Sequence, residues 1–185
     1  MSFTEQVKNE LARIRRDDKS CRTAELLALL RMSGSFITGS GGRWGLEFST
    51  GNSAVARRVL VYLKKDFGFM PSAMVRQGRR LRKKNVYTLV VQPSEQGLAF
   101  LDTMGLSPMA AVDDEAFLET MEEKRAYLAG AFLGGGSVSR PQSDYHLEMV
   151  TQSYRFAEEI VKTMAAFKLN ARMKKKKNDY IVYIK

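Results

Sequence analysis

A helix-forming run that ends in three consecutive glycines, at residues 128–137, is the feature that most constrains the fold of this chain. Apolar side chains recur at helical spacing up to Phe132, and the three glycines follow at 134–136. Glycine is a poor residue for a helix interior, so these positions must require the absence of a side chain. Gly130 and Gly134 share one helix face, which leaves that face flat enough for another backbone to approach closely.

Related stretches occur earlier in the chain. Three alignments pair a segment of the first half with one of the second: 24–35 with 126–137, 46–50 with 147–151, and 84–87 with 177–180. We therefore predict a tandem repeat whose two glycine-ended helices pack through their flat faces. In that packing Ala28 contacts Gly130 and Met32 contacts Gly134, so that a large side chain fills the space opposite a small one.

Hydrophobic periodicity predicts the same α+β order in both halves, namely helix, hairpin, helix and hairpin. An amphipathic helix at 2–14, which we expect to dock on the body, precedes the first repeat. The first repeat is predicted to contain helix 22–32, strands 35–38 and 44–50, a helix from 52 or 53 to 68, strands 73–77 and 86–91, and a helix from 93 to 105. The second is predicted to contain helix 119–134, strands 137–139 and 145–151, helix 153–167, and strands 171–174 and 179–184. Trp44, the one tryptophan of the sequence, is expected in the core.

The run Leu-Ala-Gly at 128–130, followed by Gly136, resembles the LAGLIDADG motif of homing endonucleases. The resemblance implies a pseudo-twofold saddle in which two motif helices pack side by side at the centre. In that family each helix end delivers an acidic residue to a divalent metal above the DNA.

Both of these acids are absent from this sequence. The penultimate motif position is Ser33 in the first repeat and Gly135 in the second, and the other acidic position is Arg31 and Leu133. Glycine offers no ligand atom, and a neutral hydroxyl is a poor ligand for a hard cation. We therefore expect a degenerate endonuclease with no metal, no cofactor and no catalytic activity.

Four segments resemble the WhiA (DUF199) family of Gram-positive bacteria more closely: residues 1–11, 31–36, 80–87 and 124–138. The resemblance covers nearly the whole chain. It implies an inactive LAGLIDADG domain of a DNA-binding transcription regulator that acts in sporulation, cell division and chromosome segregation. The helix-turn-helix domain of that family is absent from the sequence, so we expect this chain to be an amino-terminal portion.

The expected organisation has four parts. An amino-terminal helix and connector at 1–21 precede the first LAGLIDADG-like repeat at 22–105. A linker at 106–118, marked by Pro108 and small residues, leads to the second repeat at 119–185.

Composition and charge limit the cellular compartments that suit this chain. The chain has 185 residues, a net charge of +10 and a single cysteine, Cys21, so it has no intramolecular disulfide and suits a reducing compartment. No apolar run approaches the length of about 18 residues that a membrane span needs. We expect a cytoplasmic, nucleoid-associated monomer that does not enter membranes.

Positive charge is concentrated in two windows that occupy the same place in the two repeats. The six cations of residues 76–84 are Arg76, Arg79, Arg80, Arg82, Lys83 and Lys84, and those of residues 168–177 are Lys168, Arg172, Lys174, Lys175, Lys176 and Lys177. Because the windows together carry +12 and the whole chain +10, the remainder carries −2. Two basic hairpins suit the two phosphate rows of duplex DNA, which we expect to be bound weakly or without sequence preference. The alternative is that the hairpins are simply solvated and keep the edges soluble.

Two carboxylates argue in the opposite direction. Strand alternation places Glu47 and Glu148 on the sheet face opposite the helices, where they would repel phosphates, although either could accept a hydrogen bond from a cytosine amino group. A protein-interaction scaffold without DNA binding therefore stays as the main alternative, and an active metal-dependent nuclease as a weaker one. Cys21 and an isolated His146 are not expected to form a thiol or metal site.

Overall fold

The computed structural model of the chain describes residues 1–78, 84–144 and 146–185. Its helices are α1 (Phe3–Leu11), α2 (Lys19–Ser33), α3 (Ser53–Phe67), α4 (Glu95–Thr103), α5 (Met121–Gly135) and α6 (Tyr154–Ala165). Its strands are β1 (Gly34–Thr38), β2 (Trp44–Thr50), β3 (Ser72–Arg76), β4 (Val86–Val91), β5 (Gly136–Val138), β6 (Leu147–Thr151), β7 (Arg172–Lys176) and β8 (Asp179–Ile184). The predicted α+β order is confirmed, with two four-stranded antiparallel sheets ordered β1-β2-β4-β3 and β5-β6-β8-β7.

The chain divides into two compact units. The terminal unit combines residues 1–32 with residues 111–185, and the central unit comprises residues 33–110. Helix α2 therefore packs with the second half of the chain, up to Met32. The four-part division predicted from the sequence describes repeats rather than compact units, and it stays a prediction.

A close contact between α2 and α5 forms the core of the terminal unit. A methyl group built on Gly130 would overlap the carbonyl oxygen of Glu25 and lie 3.1 Å from Cβ of Ala28. The predicted contact between Ala28 and Gly130 is thus confirmed. Met32 covers Gly135, where a methyl group would lie 2.5 Å from its Sδ, and the predicted contact of Met32 with Gly134 stays a prediction. The two contacts lie four residues apart on α2, at Ala28 and Met32, but five apart on α5, at Gly130 and Gly135. Two helices that cross at an angle do not keep the same faces in contact along their length.

A buried ionic cluster joins Asp114, which lies in the predicted linker, to this helix pair. Arg31 donates to both carboxylate oxygens of Asp114, at 2.7 and 2.6 Å, and the Tyr127 hydroxyl donates to the same carboxylate at 2.6 Å. The Asp114 side chain is fully buried. Burial, the Asp114 charge and the hydrogen bond all raise the pKa of Tyr127 well above its ordinary value. Arg31 occupies one of the two positions that are acidic in the LAGLIDADG motif, and here it is a cation paired with Asp114.

Helix α1 docks on the terminal unit as predicted. The Thr4 hydroxyl donates to the carbonyl oxygen of Val138 at 3.1 Å and accepts from its N–H at 3.0 Å, so it covers the edge of β5. A capping box formed by Ser2 and Glu5 begins the helix. The prediction that the helix continues to Ile14 is wrong: it ends at Leu11, and Ile14 is exposed.

The central unit packs its sheet against α3 and α4. Leu46 and Phe48 are buried on the helix side, as the alternation predicted, while Glu47 is exposed on the other side. Asn52 caps the start of α3 and Gly68, with φ of 68°, ends it. The expectation that Trp44 lies in the core is wrong, because this residue is only partly buried at the start of β2, with its ring edge-on to Phe36.

The helix contact predicts that Gly130→Ala destabilises the protein. An alanine would gain about 1 kcal/mol of helix propensity but must push the two backbones apart, at a cost of about 1–3 kcal/mol. We expect a net loss in urea unfolding. Gly51→Ala is the matched control, since its methyl group would meet only the Asn85 carbonyl oxygen, at 3.9 Å. A Gly130 variant that is more stable than the parent would show that the helices are packed differently.

The buried phenol predicts a loss of stability at alkaline pH. Because the folded state raises the pKa of Tyr127, its contribution is fully present below about pH 10 and is lost above it, where the unfolded chain ionises first. Tyr127→Phe should be less stable than the parent near neutral pH but lose less stability between about pH 8 and about pH 11. Urea unfolding across that range measures both effects. Tyr87→Phe, at a partly exposed position, controls for removal of any tyrosine.

Candidate nucleic-acid interface

The hairpin β7–β8 gathers the cations of the second predicted window. Lys176 pairs with Asp179 across a two-residue turn formed by Lys177 and Asn178, and Lys177 has a positive φ of 56°. All five of its predicted DNA-binding residues are exposed: Arg172, Lys174, Lys175, Lys176 and Lys177. Within the described residues, none of these five forms an ion pair with an acidic side chain. The hairpin thus presents five cations that are available to an anionic partner.

Aromatic rings hold two of these cations on opposite faces of the sheet. Lys174 lies over the ring of Tyr183 at 5.1 Å from its centroid, and Lys175 lies over Tyr180 at 5.8 Å. The Tyr180 ring is in turn edge-on to Tyr154, with 5.4 Å between centroids. Successive residues of a strand point to opposite faces, so the hairpin carries positive charge on both sides. These tyrosines were not among the predicted site residues, although their place in an alternating strand beside a lysine run was a usable signal.

The solvent-facing side of the same sheet carries a cluster around Glu148. Register places Glu148 between Ser137 and Tyr183. His146 lies 3.0 Å from the Glu148 carboxylate through Nε2, and its ring stacks on Tyr183 at 6.1 Å and 25°. The prediction of an isolated His146 is therefore wrong, because strand pairing brings it beside a residue distant in sequence. His146 and Tyr183 therefore lie beside Glu148 on this face of the sheet.

The corresponding surface of the central unit differs in its chemistry. Arg76 and Lys84 are exposed at the base of the hairpin β3–β4, whereas the other predicted cations, Arg79, Arg80, Arg82 and Lys83, lie outside the described residues. Glu47 is exposed on the solvent-facing side, where Ser49 and Thr88 share a hydrogen bond of 3.0 Å.

The ends of the two motif helices carry no acid in either unit. Ser33 is the last residue of α2, and Gly135 is the last residue of α5. A methyl group at Gly135 would lie 2.5 Å from Sδ of Met32 and 3.0 Å from the Val150 carbonyl oxygen, so the space for an acidic side chain is filled. Across the described part of the chain, no group of three or more His, Cys, Asp or Glu residues is placed to hold a metal ion.

Two further observations concern other candidate sites. Cys21 is buried, and burial is the main cause that raises the pKa of its thiol, which disfavours the reactive thiolate. In the ranges that the structure describes, no helix is both long and apolar enough to cross a membrane.

Family models match most of the chain. The model of the WhiA N-terminal LAGLIDADG-like domain matches residues 19–107, and the model of the WhiA LAGLIDADG-like domain matches residues 124–185. Among solved structures, the N-terminal LAGLIDADG domain of DUF199/WhiA superposes with a TM-score of 0.74 at 23% identity, covering 100% of this chain and 84% of that one. The homing endonuclease I-DmoI in complex with DNA and Mn superposes with a TM-score of 0.62 at 13% identity, covering 91% of each chain. These likenesses confirm the predicted LAGLIDADG-type fold.

Curated relatives agree with the family models. The probable cell division protein WhiA of Desulforamulus reducens is 39% identical over 191 residues, covering 100% of this chain and 59% of the relative. The protein of the same name from Alkaliphilus metalliredigens is 39% identical over 194 residues, covering 100% of this chain and 61% of the relative. The chain thus spans about three fifths of the length of these relatives. With its folded core matched by both family models, this chain belongs to the WhiA family.

Proposed function

We propose that this chain is the non-catalytic, DNA-contacting part of a WhiA-type transcription regulator linked to sporulation, cell division and chromosome segregation. The observation that carries the proposal is the exposed hairpin β7–β8, with five cations that have no acidic partner among the described residues. The relatives named as cell division proteins support the biological setting. The fold shared with a DNA-bound endonuclease supports DNA as the partner.

The basic hairpin β3–β4 contributes the second contact of this proposal. Its window holds six cations and no acid, as does the window of residues 168–177, while the rest of the chain is slightly acidic. Long cationic side chains such as lysine and arginine readily reach phosphates, and phosphate contacts position a protein without selecting a sequence. The proposed binding is therefore weak, salt-dependent and largely independent of sequence, and it places the protein at the nucleoid.

The proposal excludes DNA cleavage by this domain. Ser33 and Gly135 replace the metal-binding acids of the motif, and Met32 fills the space that an acid at 135 would need. A protein-interaction role is the second candidate function, and the exposed strand β3 favours it.

Salt titration tests the proposed DNA contact. The double variant Lys175→Gln, Lys177→Gln should bind unrelated duplexes more weakly than the parent, and its log–log salt slope should fall by about 0.9 for each phosphate that the hairpin no longer neutralises. Lys64→Gln, Lys65→Gln is the matched control, because it removes the same charge from exposed positions at the end of α3. Equal weakening in both variants would mean that net charge, rather than the hairpin, controls binding.

A cleavage assay tests the proposed absence of catalysis. We expect no cutting of supercoiled DNA with magnesium or manganese, either by the parent or by Gly135→Asp. The Gly135→Asp variant should also unfold at lower urea concentration, because the new side chain overlaps Met32. We expect its free energy of unfolding to fall by about 1–3 kcal/mol. Adding Met32→Ala should recover part of this stability by opening space. Metal-dependent cutting by the parent, abolished by changing Glu47 or Glu148, would instead reveal a rebuilt site.

A further inference from the structure

The outer edge of β3 lies at one end of the central sheet. In the order β1-β2-β4-β3 this strand pairs with β4 on one side, and no described strand pairs with its other side. All five of its residues are exposed. Its outward main-chain N–H and C=O groups can therefore accept another strand.

The equivalent strand of the other sheet is protected by charge. Strand register makes β3 and β7 equivalent residue by residue, because Ala73 and Met173 occupy the same row of their sheets. Three cations of β7 then correspond to uncharged residues of β3: Arg172 to Ser72, Lys174 to Met74, and Lys175 to Val75. Lysines on an edge strand discourage pairing with another chain. The opposite edge of that sheet, β5, is covered by Thr4. Both edges of the terminal sheet are thus protected against pairing with another chain, whereas the edge formed by β3 is not.

Exposed apolar side chains surround this unprotected edge. Met70 is 76% exposed, Met74 46%, Val75 58% and Val86 42%. Met74 and Val86 lie diagonally on one face of the sheet, and Val75 lies on the other. A strand added beside β3 would cover apolar surface on both faces at once.

We infer that β3 is a docking edge for an acidic, extended segment of a partner protein, which adds to the central sheet as a fifth strand. Main-chain hydrogen bonds supply affinity in this mode of recognition, and alternate side chains supply specificity. The apolar side chains of the segment lie against Met74 and Val75. Its acidic residues lie towards Arg76 and Lys84, the two described cations at that end of the strand, in a chain whose net charge is +10.

Charge favours an acidic strand over two other occupants of this edge, a second copy of the chain and DNA. A second copy of the chain would bring a net charge of +10 against +10, and a β3–β3 pairing would supply no acid from either strand. DNA would neutralise the cations but would leave Met70, Met74 and Val75 in water and the edge N–H groups unpaired. An acidic strand satisfies the main-chain edge, the apolar side chains and the cations together.

A synthetic peptide can test the inference directly. The probe is a fluorescent peptide of about nine residues in which valine and threonine alternate between glutamate-rich ends, a length typical of strands. A second peptide of the same charge, with proline at alternate positions, cannot pair as a strand. We expect the first peptide to bind the 185-residue protein and the second to bind at least about tenfold more weakly.

Substitution of the edge separates strand pairing from simple charge attraction. Met74→Lys, Val75→Lys gives β3 the residues that β7 has at the same register, so the fold should tolerate them. The variant gains two positive charges, so attraction alone predicts tighter binding of the acidic peptide, whereas strand pairing predicts binding about tenfold weaker or less. Val61→Lys, at an exposed apolar position of α3, is the control and should bind as the parent does.

Hydrogen exchange of the parent provides a measurement that needs no variant. Amides of residues 72–76 should become protected when the strand-forming peptide is bound. Tighter peptide binding by the Met74→Lys, Val75→Lys variant, or protection only elsewhere, would overturn the inference. A concentration-dependent dimer that this variant abolishes, without peptide binding by the parent, would also overturn it and assign the edge to a second copy. DNA titration of the same variant keeps this test separate from the proposed function, since its DNA affinity should not fall.

Discussion

The close approach of α2 and α5 at Gly130 is the contact on which the terminal unit depends. The carbonyl of Glu25 occupies the space where any other residue at 130 would have its Cβ, so the two backbones can meet only at glycine. Helix α2 is buried on every side, with Leu26, Leu27, Leu29 and Leu30 at 2% exposure or less. Because Glu25 is buried along with these leucines, the middle of α2 must be enclosed by protein, and α5 packs against it at Gly130. Because α2 precedes the central unit in the chain, this contact closes a loop that contains a whole sheet.

Buried charges fix the same helices in a way that burial of apolar surface alone does not. Glu25 is fully buried and pairs with Arg16, while Arg31 and Tyr127 both bind the carboxylate of Asp114. Such pairs contribute little net stability when they form, but removal of one partner leaves an uncompensated charge in the interior. These pairs therefore favour a single register of α2, because a slip of α2 by one residue would separate each arginine from its acid. The arginine at a motif position that is acidic in endonucleases has taken on a structural task in this chain.

The sequence was sufficient to predict the parts of the fold that depend on local periodicity and spacing. Strands β4 and β8, the bounds of α3 to within a residue, and the contact of Ala28 with Gly130 were all predicted, because alternation, helix-end residues and small side chains are local signals. The contact of Met32 with Gly135 was not predicted, since it depends on the angle at which two helices cross. The surroundings of His146 were missed for a related reason: strand register, which one sequence leaves open, brings Tyr183 beneath it. The cation windows themselves were visible in the sequence, but the rings that hold Lys174 and Lys175 were not expected.

The two sheets show how a repeated backbone can carry different chemistry on equivalent positions. Register matches Glu47 with Glu148, and around this shared acid the neighbours differ: Gly45 and Val90 in the central sheet correspond to His146 and Tyr183 in the terminal sheet. The acid is thus exposed beside aliphatic surface in one sheet and paired with a stacked histidine in the other. Neither change disturbs the helix-facing rows, which stay apolar in both. Solvent-facing positions are free to diverge because the fold requires only pairing from them, and so a chain built from two similar repeats presents any partner with two chemically distinct surfaces.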